Sequence, residues 1–493
     1  MMERAAWQEI FSGIGIFYLV YVLLYAAFMF FSVAAGALRL HERDRMRRAR
    51  GDLRNDLYFP VSVLVPAYNE EVTILSSIES LLALDYGQYE VIVVDDGSRD
   101  GTSARIAEHF RMRRVERPIR KTLPCQPERA VYEAMAGRVK LTLITKENGG
   151  KGDALNMGIN ASQHPYFLCI DADSVLQRDT LMRIVQPVLE DDTTIAVGGM
   201  IRAAQSATIV DGVVQDFFMP DEPLIAMQIV EYDRSFLASR ILLDRFNGNL
   251  IISGALGLFR KDVVVSAGGY ATDTLGEDME LVMKLHVFCR NNDRKYRISY
   301  EPSAVCWSQV PFHLRDIRHQ RRRWHLGLFQ SLAKYRQVLT STRFGLTGLV
   351  SYAYYLLYEL LSPVVEIFGL LVLAVMSALG ILNPIFALQM FVVYTLYGAV
   401  MTMTAFFQRI YTQNLRLRLR DVLYAMAACV LESVFFRYVL AYVRATAFIS
   451  YRKRKRQWGV IRRESIQGGA KAVGHGPAAA GMPPPEERKE KTA

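Results

Sequence analysis

Cysteine is scarce in this chain, with five among 493 residues. They are scattered at positions 125, 169, 289, 306 and 429, so no pair has metal-ligand spacing, and their odd number argues against a disulfide framework. A serine or threonine is also missing after the lysine of the glycine-rich stretch 146–156, and no motif for a covalent nucleophile is evident. These absences argue against a disulfide scaffold, cysteine-bound zinc and P-loop hydrolysis.

Charge and apolar residues are unevenly distributed. The net charge is +10, from 59 basic and 49 acidic residues, and 51% of the residues are hydrophobic. Basic runs at 39–54 and 451–456 flank apolar segments, which is typical of the cytoplasmic side of a membrane. We therefore expect membrane lipid, and no nucleic acid, as a partner.

The first apolar segment, residues 10–38, carries no charge and exceeds the ~20 residues that a spanning helix needs. It is too long for the core of a signal peptide, and no cleavage site follows it. We predict one transmembrane helix rather than a buried core helix. The basic residues after it place the next domain in the cytoplasm.

Further apolar blocks lie toward the C-terminus. We predict spanning helices near 364–382 and 386–407, whereas 344–361 can either span or lie in the interface. The block 422–449 carries charged residues, namely Glu432, Arg437 and Arg444. A simple lipid-facing helix is therefore not expected there. Basic sequence on both sides of this block leaves a crossing and a re-entrant or interfacial helix both open.

The middle of the chain, 60–302, alternates short apolar runs with helical stretches. Five of these runs end in polar turns: VSVLVPAYN, YEVIVVDDGS, LTLITKENGG, YFLCIDADS and IAVGGMIRA. Such alternation predicts a mainly parallel sheet covered on both faces. Because ligands bind beyond the carboxyl ends of such strands, we expect the polar clusters to lie together at one edge.

Two of these clusters suit a nucleotide. Asp95 and Asp96 can accept hydrogen bonds from a uracil ring or a ribose, although a turn stabilised by Asp side chains explains them equally well. In the stretch 146–156, glycines let backbone amides approach a phosphate and Lys151 adds a positive charge. A glycine-rich helix start is the alternative interpretation.

A third cluster suits a metal ion. Asp171 and Asp173 have one residue between them, so both carboxylates lie on the same side of the chain. They form half of a site for Mg²⁺ or Mn²⁺, and a diphosphate would supply further oxygens. A metal there stabilises charge on the leaving phosphate. The alternative is a solvated loop.

Two clusters follow near residues 277 and 320. Asp278, with Glu277 beside it, begins a helical run and can act either as a helix cap or as a general base. In 320–324 an arginine can clamp diphosphate oxygens and a tryptophan can stack on a sugar ring. An amphipathic basic helix on anionic lipid is the other interpretation.

Six motifs occur in order along the chain: VSVLVPAYNEE, VVDDGS, ENGGKGDALN, IDADS, GED and QRRRW. Together they resemble the processive family 2 glycosyltransferases, which include bacterial cellulose, hyaluronan, chitin-oligosaccharide and poly-N-acetylglucosamine synthases. The last branch is the most similar. The resemblance implies an α/β GT-A fold with Rossmann-like character, joined to transmembrane helices.

The resemblance also implies an activity. This is inverting, processive transfer of N-acetylglucosamine or glucose from a UDP-sugar donor to a growing polysaccharide acceptor, coupled to translocation. It implies a multi-pass protein of the bacterial inner membrane with a cytoplasmic catalytic domain, and it allows for accessory membrane or periplasmic subunits. A non-processive transferase that adds one sugar to a lipid carrier is the alternative, and a transport or lipid-binding membrane protein is a second.

By the same resemblance, Asp95 or Asp96 contacts the uridine, Asp171 and Asp173 contact the nucleotide and the metal, and Asp278 is the base that deprotonates the acceptor hydroxyl. The acceptor side is lined by Ser253 and Gly254. The donor diphosphate and the acceptor sugar are bordered by three residues of the QRRRW motif: Gln320, Arg323 and Trp324.

Three features stand apart from the main motifs. Gly276 replaces the threonine common in the family's Thr-Glu-Asp motif, and 103–140 is longer and more basic than the family needs, so we interpret it as a solvated surface excursion. Trp458 resembles a tryptophan that enters the catalytic pocket in hyaluronan synthases. An interfacial anchor is the alternative for Trp458.

Two carboxylates in the apolar region, Glu359 and Glu366, lie on one helix face and are predicted to face a protein interior or a polymer path. The chain as a whole divides into five predicted parts. They are a membrane helix with a basic flank (1–55), the GT-A domain (56–305), interfacial helices (306–345), membrane or interfacial helices (346–450) and a basic segment with a tail (451–493).

Overall fold

Runs of buried valine, isoleucine and leucine form the strands at the centre of the molecule. Val61–Ala67 and Tyr89–Asp95 are buried along almost their whole length, as strands covered on both faces must be. The computed structural model describes residues 2–50, 59–210, 212–413, 415 and 417–449.

The strands are β1 (Val61–Ala67), β2 (Tyr89–Asp95), β3 (Arg113–Val115), β4 (Glu128–Ala136), β5 (Val139–Lys146), β6 (Tyr166–Cys169), β7 (Val175–Leu176), β8 (Thr194–Ala203), β9 (Ala207–Val210), β10 (Val213–Phe217), β11 (Gly257–Arg260) and β12 (Arg297–Ser308). The helices of the first half are α1 (Met2–Arg50), α2 (Ile74–Leu82), α3 (Thr102–His109), α4 (Lys151–Ala161), α5 (Thr180–Ile184), α6 (Gln186–Glu190), α7 (Pro223–Arg234) and α8 (Arg240–Asp244). Those of the second half are α9 (Lys261–Ser266), α10 (Glu277–Asn291), α11 (Leu314–Lys334), α12 (Gln337–Thr340), α13 (Ser362–Ala378), α14 (Pro384–Gln413), α15 (Leu419–Leu431) and α16 (Arg437–Ala445). Helical turns of π type occupy Ser235–Ser239, Thr347–Tyr352, Tyr355–Leu360 and Glu432–Phe436.

Ten strands form one sheet in the order β3-β4-β5-β2-β1-β6-β11-β8-β12-β7. The run β5-β2-β1-β6 is parallel, as predicted. In the described residues, however, only four of the nine pairings are parallel, so the prediction of a mainly parallel sheet is wrong for the sheet as a whole. The physical reason is that β11 enters antiparallel between β6 and β8, while hairpin strands extend the other edge.

The basic segment 103–140 is more regular than a surface excursion. It contains most of α3, all of β3 and all of the hairpin strand β4, and β3 pairs with β4 at the sheet edge. Arg113 and Arg114 are exposed there, so the charges are solvated as predicted while the backbone is fixed by the strand ladder.

The predicted polar turns do lie together. β2 ends at Asp95, β5 at Lys146 and β6 at Cys169, and these strands run parallel on either side of β1. Their carboxyl ends therefore share one edge of the sheet.

Three helices of the described chain are long and apolar enough to cross a membrane: Phe11–Glu42, Pro384–Tyr411 and Leu419–Ala445. The pair Thr347–Leu360 and Ser362–Ala378 passes the same criterion together but is bent by 49°. The helices predicted at 10–38 and 386–407 are thus present. The helix predicted at 364–382 is one half of the bent pair, as a broken span or a re-entrant loop.

Both ends of the helix Leu419–Ala445 contact the α/β domain or the helix that follows it. Near its start, the Tyr424 hydroxyl donates a hydrogen bond to the Asp221 carbonyl at 2.8 Å. Just past its end, Arg322 of α11 donates to the Thr446 hydroxyl at 2.8 Å. Because α11 itself packs on α10 of the α/β domain at Gly276 and Gly327, contacts at both ends favour the interfacial course over a crossing.

Candidate active site

A cavity of about 410 Å³ lies beyond the carboxyl end of β6, beside the starts of α4 and α10. Ten of the residues predicted from the sequence line it: Lys151, Asp171, Asp173, Ser253, Gly254, Glu277, Asp278, Gln320, Arg323 and Trp324. Residues from separate loops and helices therefore meet in one place, as an active site requires.

Asp278 lies in the first turn of α10. The Gly254 N–H donates to its Oδ2 at 3.3 Å, and the Met279 N–H donates to its Oδ1 at 2.8 Å. A carboxylate that borders the cavity beside Gly254 can accept a proton from a bound hydroxyl.

Lys151, the first residue of α4, joins two acidic residues. Its Nζ lies 2.5 Å from Asp171 Oδ1 and 3.7 Å from Glu277 Oε1. Burial lowers the pKa of Lys151, but Asp171 and Glu277 outweigh burial and the pKa is raised overall. Burial raises the pKa of Glu277 although Lys151 opposes it. A Cβ on Gly254 would lie 2.9 Å from Lys151 Nζ, so the glycine leaves room for the ammonium.

Asp171 and Asp173 supply the hard oxygen ligands that Mg²⁺ and Mn²⁺ prefer. The ammonium of Lys151 against Asp171 shows that positive charge is held at this position. Within the described ranges, no group of three or more acidic, histidine or cysteine side chains could hold a metal ion. The two carboxylates fit a cation that takes further oxygens from a diphosphate, and their role as metal ligands stays a prediction.

Asp95 and Asp96 are nearly fully buried and do not line this cavity. Asp95 Oδ1 accepts from the Ser98 N–H at 2.9 Å, which is the turn interaction that was the alternative interpretation. Asp96 accepts from Lys146 Nζ at 2.5 Å and from the Gly150 N–H at 2.7 Å. These bonds fix the glycine-rich loop, and contact with a uridine stays a prediction.

The QRRRW motif lies on α11, and its arginines differ in environment. Arg321 is buried and donates to both oxygens of Glu231, at 2.9 and 2.6 Å. Its guanidinium lies 4.7 Å from the centre of the Trp324 ring. Arg321 therefore positions the tryptophan, whose side chain is 42% exposed, while Arg323 lines the cavity.

Gly276 and Gly327 explain the departure from the Thr-Glu-Asp pattern. A Cβ on Gly276 would lie 2.9 Å from the Gly327 Cα, and one on Gly327 would lie 2.8 Å from the Gly276 Cα. α11 thus crosses the start of α10 where Gly276 and Gly327 are in direct contact. A threonine at position 276 would push the GED motif on α10 away from the QRRRW motif on α11.

The cavity continues between the C-terminal helices and α1. Beyond the site it is lined by Tyr25, Met29, Tyr354, Tyr355, Tyr358, Glu359, Ser362, Pro363, Glu366 and Arg437. Glu359 and Glu366 both line the cavity, as predicted, but they do not lie on one straight helix, because a 49° bend separates Thr347–Leu360 from Ser362–Ala378. Their contact with a polymer stays a prediction.

Sequence reasoning missed a set of ion pairs that hold the helices around this cavity. Arg234 forms an ion pair with Glu432 at 2.8 Å, and Arg437 forms one with Glu366 at 3.4 Å. The charged residues inside the apolar blocks indicated that such pairs exist. The sequence could not identify the partners, because the members of each pair lie far apart along the chain.

Trp458 lies outside the described residues. The described chain ends close to the site, however. Ala447 packs against Leu275 and Leu326, and the Phe448 ring lies 5.4 Å from that of His325.

Two family models match the chain. Glycosyl transferase family 2 matches residues 62–123, and Glycosyl transferase family group 2 matches residues 166–407. Poly-β-1,6-N-acetyl-D-glucosamine synthase of Staphylococcus aureus is 28% identical over 313 residues, which are 62% of this chain and 64% of that protein. The Staphylococcus epidermidis synthase is 28% identical over 270 residues, or 54% of each chain. The matches therefore span less than two thirds of these relatives.

A mannosyltransferase of Pyrobaculum calidifontis, solved with GDP-mannose and Mn²⁺, has the same fold. Its TM-score is 0.50 at 21% identity, and the match covers 84% of this chain and 99% of that one. This likeness supports the GT-A architecture alone. With the six motifs and the two family models, which match residues 62–123 and 166–407, the chain belongs to glycosyl transferase family 2.

Proposed function

We propose that this protein is an inverting, processive glycosyltransferase that polymerises N-acetylglucosamine from UDP-N-acetylglucosamine into a β-linked exopolysaccharide. The observation that carries the proposal is one cavity that joins Asp171, Asp173 and Asp278 to tyrosines of the membrane helices. The named activity of the staphylococcal relatives supports the choice of sugar.

The donor diphosphate binds where the site holds positive charge. Lys151 and Arg323 line the cavity and can pair with phosphate oxygens. A divalent cation held by Asp171 and Asp173 would neutralise charge on the departing UDP. As the donor enters, Lys151 leaves its ion pair with Asp171 and pairs with the diphosphate instead.

The transfer itself is a single displacement. The acceptor hydroxyl attacks the anomeric carbon, Asp278 takes the hydroxyl proton, and the bond to the UDP oxygen breaks. One attack from the face opposite UDP inverts the anomeric centre. Asp278 is suited to this role because its carboxylate is held at a helix start beside the acceptor-side loop.

The growing polymer leaves between α1 and the C-terminal helices. Tyr25, Tyr354 and Tyr358 line this stretch, and such rings bind the faces of sugars. This continuation supports polymer synthesis with translocation over transfer of one sugar to a lipid carrier. The candidate spanning helices support a membrane protein, and the basic run 39–54 supports a site on the cytoplasmic side.

Trp458 covers the bound donor in this proposal. Ala447 and Phe448, which precede Trp458 by eleven and ten positions, pack beside the site and support this role.

A donor screen tests the proposed function. Purified protein in membranes is given radiolabelled UDP-sugars, and the product is sized and digested with linkage-specific hydrolases. We expect a long polymer from UDP-N-acetylglucosamine that a β-N-acetylglucosaminidase degrades. A product with a single added sugar on lipid would favour the non-processive alternative, and no transfer from any UDP-sugar would refute the proposal.

A further inference from the structure

Arg240 differs from the other cations of the cavity. Lys151, Arg234, Arg437 and Arg444 each pair with a carboxylate. Arg240 forms no ion pair within the described residues, and its buried Nη1 has no hydrogen-bond partner there. An arginine has donors only, so this N–H lacks an acceptor oxygen. Leaving such a donor unmatched is costly, which indicates that a bound molecule supplies the acceptor.

Two structural features hold Arg240 in place. Its guanidinium lies 4.2 Å from the centre of the Phe236 ring, which restrains its plane. The π-type turn Ser235–Ser239 immediately precedes it. One extra residue in a turn rotates the following side chains by about 100° relative to a regular helix, so this turn sets the face on which Arg240 lies.

Arg240 lines the same cavity as Asp278 and as Ser253 and Gly254, the residues assigned to the acceptor side. Tyr355, which also lines this cavity, interacts electrostatically with both Arg240 and Asp278. This shared lining favours an oxygen on the acceptor sugar over one on the donor.

We propose that Arg240 recognises the terminal acceptor sugar by donating a hydrogen bond from Nη1 to its acetamido carbonyl oxygen. The assignment rests on the proposed function. A carbonyl is a strong acceptor, and a guanidinium strengthens the bond by its charge. A terminal glucosamine with a free ammonium lacks this oxygen and places a cation against a cation. Arg240 thus selects N-acetylated chain ends for elongation.

The test compares Arg240→Gln with the wild type. The acceptors are a β-1,6-linked N-acetylglucosamine tetramer and the same tetramer with a free amine on its non-reducing terminal residue. We expect the acceptor KM for the acetylated tetramer to rise about 10- to 100-fold, as loss of a charged hydrogen bond implies. The KM for the amine-bearing tetramer should stay equal or fall, so the preference between the two is lost. The Kd of UDP should not change.

Arg240→Lys keeps the charge but not the planar fork, and an intermediate preference is expected. Arg245→Gln is the matched control, because Arg245 is exposed immediately after the same helix and does not line the cavity. Saturation-transfer NMR in the presence of UDP measures the binding of each tetramer to the wild type and to Arg240→Gln. This measurement reports on Arg240 without turnover. Wild-type protein that makes no polymer but still prefers the acetylated tetramer would count against the proposed function only. An unchanged acceptor preference in Arg240→Gln, or an equal loss for both tetramers, would overturn the role of Arg240.

Discussion

Around Lys151, one ammonium faces the carboxylates of Asp171, Glu277 and Asp278. Arg323 lines the same cavity and, with Lys151, opposes the effect of burial, which raises the pKa of Glu277. A divalent cation held by Asp171 and Asp173 would offset the charge of the diphosphate that enters with it. In the proposed mechanism, Asp278 is the carboxylate that takes the proton.

Replacing Asp278 by asparagine removes the proposed base and keeps the shape of the side chain. We expect turnover to fall about 10²- to 10⁴-fold, as loss of a general base usually does. UDP binding should be largely kept, because Asp278 accepts only from backbone N–H groups in the described residues. Initial rates and UDP titrations measure the two effects. Asp262→Asn, at an exposed surface pair, is the control. Near-normal turnover in Asp278→Asn would remove this residue from the role.

Replacing Asp173 by alanine tests the metal. UDP binding should weaken in Mg²⁺ or Mn²⁺ and change little in chelator, because the carboxylate acts through the cation. Calorimetric titration of UDP in both conditions measures this. Asp179→Ala is the matched variant, because Asp179 is half-buried, pairs with Arg183 and does not line the cavity. Equal UDP affinity of variant and wild type in Mn²⁺ would rule out a metal ligand at position 173.

At the scale of elements, α10 carries the proposed catalytic carboxylates at its start and a buried histidine that contributes to stability further along. It begins with Glu277 and Asp278, and two turns later it buries His286 completely. His286 Nδ1 lies 2.8 Å from the Tyr296 hydroxyl, and Nε2 lies 2.9 Å from the Asn249 carbonyl oxygen. Burial, with a smaller effect of Arg290, lowers the pKa of His286 to about 4. The helix that presents the base is therefore anchored by a neutral histidine.

Acid should weaken this anchor. The unfolded chain takes up the proton near pH 6.5 and the folded chain only near 4, so the unfolded state binds more protons between these values. Stability contributed by neutral His286 is thus present above pH 6.5 and is lost as pH falls toward 4, by up to about 3 kcal/mol. Thermal unfolding in detergent from pH 4.5 to 7.5 should show a flatter pH dependence in His286→Gln than in the wild type. The exposed His109→Gln should keep the wild-type slope. Parallel slopes for all three proteins would contradict the assignment.

At the scale of the whole molecule, the course of the last helix decides where the chain ends. Leu419–Ala445 is long and apolar enough to cross a membrane, yet its start contacts Asp221 of the α/β domain and Thr446, just past its end, contacts Arg322 of α11. Its Arg437 and Glu432 point to partners on other helices and not to lipid. We infer an interfacial course, which places residue 449 on the side of the active site.

Cysteine labelling tests this course. With Cys125 first changed to serine, Leu419→Cys and Ile449→Cys occupy highly exposed positions at the two ends of the helix. Both should react with an impermeant thiol reagent in inside-out vesicles and be protected in right-side-out cells. Gly380→Cys, in the turn between α13 and α14, is the control and should react from the opposite side. If residues 419 and 449 react from different sides, the helix is a crossing and Trp458 cannot reach the cavity.

The sequence by itself determined the local elements and the chemistry available to them. Apolar runs ending in Asp95, Lys146 and Cys169 predicted the parallel strands because both faces of those strands must be buried. The spacing of Asp171 and Asp173, and the uncharged stretch 10–38, are likewise local patterns that specify a carboxylate pair and a spanning helix.

Only the tertiary structure decided which of these residues meet. The antiparallel entry of β11 between β6 and β8 is a long-range pairing that no local periodicity encodes. The same holds for Gly276 against Gly327, for Arg234 with Glu432 and for the unmatched N–H of Arg240. These contacts join positions distant in sequence, and their energies depend on burial and geometry that arise only when the chain has folded.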